Sequence, residues 1–210
     1  MSDFHRGRGR GHSLDFDNRQ RVYRETRLQN NELHVGFEHH AGGFGSGSRR
    51  AIVEGLRRTF GIGAVVGRRR DGPDATIMSG SRQAIHDSVA NDVGRWGGPP
   101  LRAFRILDRI RIRRGLARTL AHSFLTGNMR GHANRQRRVA AVTNTDVDSV
   151  RTAVHEVGHI MDMDHPPVID HSQNIMQPTA TGHQAFLSTP AQQQQARTFI
   201  RNRRGRGRSF

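Results

Sequence analysis

The chain has 210 residues, enough for one compact domain with a real core or for one domain with unfolded ends. Apolar residues make up 33% of it, below the share of an ordinary globular domain, so a modest core flanked by polar segments is expected. The formal charge of +16 favours an acidic partner, and the absence of cysteine excludes disulfides, thiolate metal sites and a cysteine nucleophile.

Arg-Gly alternation runs from Arg6 to Gly11 and returns from Arg203 to Arg208. Such sequence has no apolar spacing with which to bury surface, so residues 1–30 and 203–210 are expected to be disordered and residues 31–202 to form the folded domain. Residues 32–37, ELHVGF, read as a short strand, and the Gly- and Ser-rich segment from His39 to Ser48 reads as a loop. Ala51, Ile52, Leu56 and Phe60 then recur at helical spacing, with Gly61 placed to end the helix. Two apolar runs, Ile62 to Val66 and Ala75 to Met78, read as strands separated by a turn around Asp71 to Pro73.

A helix or an irregular segment fits Gln83 to Val93, and Gly97-Gly98-Pro99-Pro100 is a break. Residues 101–126 stay open between two readings. Phe104, Ile106, Ile110 and Ile112 alternate as in strands, while Leu107, Ile110, Leu116 and Leu120 suit a helix. Val139 to Val142 reads as one more strand and as a candidate sheet edge on which an extended peptide could pair. A helix is expected to begin near Asp146 or Asp148, burying Val147, Val150, Val154, Val157 and Met161. After Pro166-Pro167 the chain reads as irregular to about Leu187. A last helix starts at Ser188 or Thr189, with Pro190 in its first turn, and runs to about Asn202.

The chemistry lies in HEVGHIMDMDH, residues His155 to His165. His155 and His159 are i and i+4 on the expected helix, so they leave it from one face, one turn apart, and suit two adjacent corners of a tetrahedral metal site. Glu156 stands beside the first ligand and suits a general base that does not itself bind the metal. On a continuous helix His165 would lie about 9 Å along the axis from His159, so it can be the third ligand only if the helix ends after Met161 and the chain turns back. Three protein ligands leave a coordination position open, as in catalytic zinc sites. Asp164 is a rival third ligand. His39-His40 is a candidate second metal pair. His171 and His183 are candidate substrate contacts, and Trp96 reads as a packing residue.

HEVGHIMDMDH resembles the HExxHxxGxxH signature of the metzincin zinc metallopeptidases, and Asn174-Ile175-Met176-Gln177-Pro178 resembles their Met-turn. The likeness is to the matrixin-like branch and covers about Val139 to Ile200. It implies an α+β peptidase domain: a small mixed sheet, an active-site helix, a Met-turn with Met176 beneath the ligands, and a C-terminal helix. It also implies Zn2+ on His155, His159 and His165 and catalysis by Glu156. Asp162 stands where the family has a glycine in left-handed backbone, a conformation that Asp tolerates at some cost.

A protein or peptide substrate is the expected partner. The Arg-rich ends suit an anionic partner or a delivery apparatus. The alternative reading is a basic nucleic-acid-binding or packaging protein with a vestigial peptidase fold. The first residues show no apolar core of a signal peptide, and no stretch approaches the 18 apolar residues of a membrane span. A cytoplasmic location in the producer is therefore expected. All 34 basic residues are arginine, which keeps charge but offers no amine for ubiquitin attachment. That composition suits a toxin or effector delivered into another cell.

Overall fold

Residues 32–67, 72–98, 106–145, 148–166, 174–178 and 186–205 are described in the computed structural model. The expected turn at Asp71 and the Arg-Gly alternation before residue 32 lie outside them, as do Val147, His171 and His183. The elements, in chain order, are β1 (Glu32–His39), α1 (Ser46–Phe60), β2 (Gly63–Val66), β3 (Ala75–Gly80), α2 (Arg82–Asn91), α3 (Val93–Trp96), α4 (Ile106–Leu125), β4 (Gly131–Asn134), β5 (Val139–Thr143), α5 (Ser149–Ile160) and α6 (Pro190–Gly205). This is a mixed α+β fold.

The strands form one sheet in the order β2-β1-β3-β5-β4. The first four run parallel, and β4 is antiparallel to β5, with Ala133 opposite Ala140. Parallel neighbours need crossover connections, and helices supply most of them, covering both faces of the sheet. One core joins Leu33, Val35, Ile77, Ala140 and Val142 to Ile52, Leu56 and Phe60 of α1, Val154 and Val157 of α5, and Ala196 and Ile200 of α6. The other joins Met78, Val139 and Ala141 to Ile85, Val89, Trp96, Ala117, Ala121 and Phe124. Trp96 is thus a packing residue, as its sequence context suggests.

The edge-strand expectation for Val139 to Val142 is corrected by this topology. β5 lies between β3 and β4 and is buried on both faces, which is why VAAV is uniformly apolar. The edge next to it is β4, GHAN, which is short and half-buried throughout, as edge strands that resist aggregation tend to be.

Residues 106–125 resolve as a helix. It buries only Ala117, Ala121 and Phe124, whereas Ile106, Leu107, Ile110, Ile112 and Leu116 are exposed. The large apolar residues that made both readings attractive are not the ones that this fold buries. Helix α1 ends at Gly61, with φ 59°, as expected, but starts at Ser46, inside the segment read as a loop. No helix among the described residues is long and apolar enough to cross a membrane.

Helix α6 begins at Pro190 behind a reciprocal cap. The Gln192 amide donates to the Thr189 hydroxyl at 3.2 Å, and the Thr189 amide donates to the Gln192 side-chain oxygen at 2.9 Å. The far end of α6 runs past Asn202 to Gly205, so residues 203–205, expected to be disordered, are helical. The reason is Arg203, whose Nε donates at 3.2 Å to Asp74, a carboxylate buried beneath it. Thr189→Ala removes one arm of the cap and should lower unfolding free energy by about 1 kcal/mol, read from the urea midpoint at unchanged slope.

Candidate metal centre

Helix α5 carries the site because its buried side, Ala153, Val154, Val157 and Ile160, packs into the core. His155 and His159 then project together from it. Asp148 is the residue before its first turn and makes no side-chain cap; it pairs instead with Arg130 at 3.4 Å. The helix stops where the motif requires. The Asp162 amide donates to the His159 carbonyl at 3.0 Å and the Met163 amide to the Gly158 carbonyl at 3.1 Å, the bond pair of a Schellman end. Asp162 takes the left-handed conformation this needs, with φ 66°. Met163 is buried, and the chain turns back so that His165 faces the helix again.

The Nε2 atoms of the three histidines converge: His155 to His159 3.1 Å, His159 to His165 3.1 Å, His155 to His165 3.2 Å. His155 is buried, His159 half-buried and His165 exposed at the cleft mouth. The Nδ1–H of His155 donates to the Ile175 carbonyl and that of His159 to the Met163 carbonyl, both at 2.7 Å. A carbonyl can only accept, so both rings carry their proton on Nδ1 and turn a bare Nε2 lone pair inward. Two such lone pairs, with the His165 Nε2 3.1–3.2 Å from both, are an arrangement that a cation placed between them stabilises. A tetrahedral ion with imidazole nitrogens at about 2.0–2.1 Å separates them by about 3.3 Å, so the donors present fit a metal ion.

Compared with known protein families, with curated proteins and with solved structures, the chain matches none.

Electrostatics favours the same arrangement. Burial pushes the His155 pKa down to about 4, against the smaller opposing effect of the Ile175 carbonyl. His159 and His165 are lowered too, chiefly by desolvation, so the cluster is neutral and ready to ligate at pH 7. Glu156 is not in the ligand group. It is buried beside β4, and desolvation raises its pKa to about 8. A Cβ on Gly131 would lie 2.7 Å from its Oε1, so only glycine lets the β4 backbone come this close.

Met176 is buried against the helix. A Cβ on Gly158 would lie 2.5 Å from its sulfur, which gives that glycine, between Glu156 and His159, its physical role. The turn is held by the Met176 amide donating to the Asn174 side chain at 2.8 Å and the Ile175 amide to the Leu187 carbonyl at 2.7 Å.

Arg135, in the β4–β5 turn, was not legible as a site residue. Its Nη2 donates to the Met163 carbonyl at 2.8 Å and to the Asp164 carboxylate, tying the sheet to the segment that carries His165. Asp164 is thereby turned outward, 79% exposed, and lies outside the group of side chains placed to hold a metal. His39 and His40 join no metal-holding group among the described residues, and His39 lies 3.4 Å from Arg49.

The histidine triad opens into a cleft of about 840 Å³, lined also by Met129 to Ala133 and by Pro178.

Two outcomes follow from packing and charge. Gly158→Ala should cost about 1–3 kcal/mol by overpacking against Met176, read by chemical denaturation. In metal-free protein, a raised Glu156 pKa means that the unfolded chain binds fewer protons, so its contribution falls as pH rises from about 4.5 to about 8. The lowered His155 pKa acts oppositely, its contribution being lost as pH falls from 6.5 to about 4. Melting temperature should therefore decline between pH 6.5 and 8, and Glu156→Gln should flatten that decline.

Proposed function

We propose that the protein is a zinc-dependent endopeptidase of the metzincin type, with His155, His159 and His165 as metal ligands and Glu156 as general base. The observation that carries this reading is the convergence of three imidazole nitrogens beside a buried carboxylate outside the ligand group. Three neutral imidazoles with an open fourth position suit zinc and a catalytic site. Further support comes from the left-handed residue at Asp162 and from Met176 packed on Gly158, the two places where the motif resemblance makes demands of the backbone.

Bound there, zinc would supply a Lewis acid that polarises a scissile carbonyl and lowers the pKa of a water molecule. Glu156 takes a proton from that water and delivers it to the leaving amine. Burial raises its proton affinity, so the carboxylate, once ionised beside a bound cation, can take the proton and hold it between the two transfers. The carbonyls of Ile175 and Met163 keep two ligand rings in orientation throughout. Substrate would enter as an extended strand against the outer edge of β4, the last strand of the sheet among the described residues, which lines the cleft beside the histidines.

The deciding comparison is wild type against Glu156→Gln, both zinc-loaded, on a proteome-derived peptide library. The variant should keep its zinc and lose about 10²- to 10⁴-fold in cleavage rate. Equal cleavage by the two proteins would contradict the assignment of Glu156, and no cleavage by wild type would contradict the peptidase reading.

A further inference from the structure

Arg151 lies one turn before His155 on α5 and lines the same cleft as the histidine triad. It also forms one wall of an adjoining pocket of about 390 Å³, which Gly55, Val150 and Phe186 help to line. The residue is only 9% exposed. A guanidinium so placed calls for a carboxylate, and elsewhere in this fold arginines have one: Arg203 pairs with Asp74, Arg95 with Glu38, Arg135 with Asp164. Arg151 forms no ion pair within 4 Å among the described residues. Its Nη2 reaches the Ile175 and Gln177 carbonyls only at 3.4 Å each, and its Nε–H is buried with no acceptor. Asp148 is near enough to act on it through space but makes its side-chain contact with Arg130.

We propose that Arg151 forms a carboxylate-binding subsite of the cleft, so that the protein selects peptides carrying an acidic group close to the bond held at the histidines. The inference rests on the peptidase reading for the meaning of that bond, though not for the binding itself. A buried cation held only by long carbonyl contacts lacks the partner that would offset its desolvation, and a ligand anion in the cleft supplies it. The planar guanidinium fork matches a carboxylate in shape. Asp148 also lines the cleft, and its charge opposes a doubly charged phosphate more than a singly charged group. That group is an Asp or Glu side chain or the C-terminal carboxylate of a peptide.

Three pentapeptide pools, randomised among uncharged residues, separate these sources. One has blocked ends and central glutamate, one blocked ends and central glutamine, and one central glutamine with a free C-terminus. Binding is measured calorimetrically on the zinc-loaded full chain carrying Glu156→Gln, so that nothing is cleaved. At least one carboxylate pool should bind about tenfold or more tightly than the blocked glutamine pool, and which one does identifies the source. Adding Arg151→Met should erase the difference, and Arg151→Lys should keep part of it. Equal affinity for all three pools with Arg151 intact overturns the proposal, even if Arg151→Met fails to fold. So does discrimination that persists in a folded Arg151→Met protein. Cleavage of the same pools by wild type is read separately: discrimination without cleavage removes the peptidase reading and leaves the subsite, and cleavage without discrimination does the reverse.

Discussion

Everything at the candidate site depends on the reversal of the chain at Asp162. A helix that simply continued would carry His165 about 9 Å from His159 along its axis, and the third nitrogen would be lost. The reversal requires one residue in left-handed backbone, and an Asp there is tolerated less readily than a glycine. The surrounding contacts hold it in place. Backbone bonds from Asp162 and Met163 close the helix, Gln195 of α6 donates to the Asp162 carbonyl at 2.6 Å, and Arg135 grips the Met163 carbonyl from the sheet side. The Met163 carbonyl then orients His159. One short bend is thus fixed from three directions, and the same carbonyl serves both the bend and a ligand ring.

The second support is the segment Asn174 to Pro178. It does for His155 what Met163 does for His159, presenting the Ile175 carbonyl to Nδ1. It can sit there because Gly158 leaves room for the Met176 sulfur, and because the paired amides of Asn174 and Gln192 dock it on α6. Gln192 also caps that helix, so the cap of α6 and the orientation of a ligand are linked through one side chain. Stability and site geometry are therefore coupled.

The site was legible because its information is local. Spacing of four residues fixes two histidines on one helix face, and the need for a third nitrogen implies the bend from spacing alone. The C-terminal end of α1 and the start of α6 were legible for the same reason, since Gly61 and the Thr189-Pro190 pair act on their own immediate backbone. What depends on distant contacts was not. Strand β4 carries no apolar alternation, and its nearness to Glu156 follows only from the approach of Gly131 to that carboxylate. The edge position expected for β5 fails because the apolar run VAAV reports burial of both faces but not which strands pair on either side. Arg135, one of 34 arginines, had no mark to set it apart from the rest.

The central claim is that three imidazoles hold one metal ion. X-ray absorption at the zinc edge, on protein purified without added metal, tests it most directly. The account predicts one zinc per chain with imidazole scattering and nitrogen at about 2.0–2.1 Å, lost when His155→Ala and His159→Ala are combined. A chain that holds no metal, or zinc whose content and imidazole signal survive the double substitution, would contradict it.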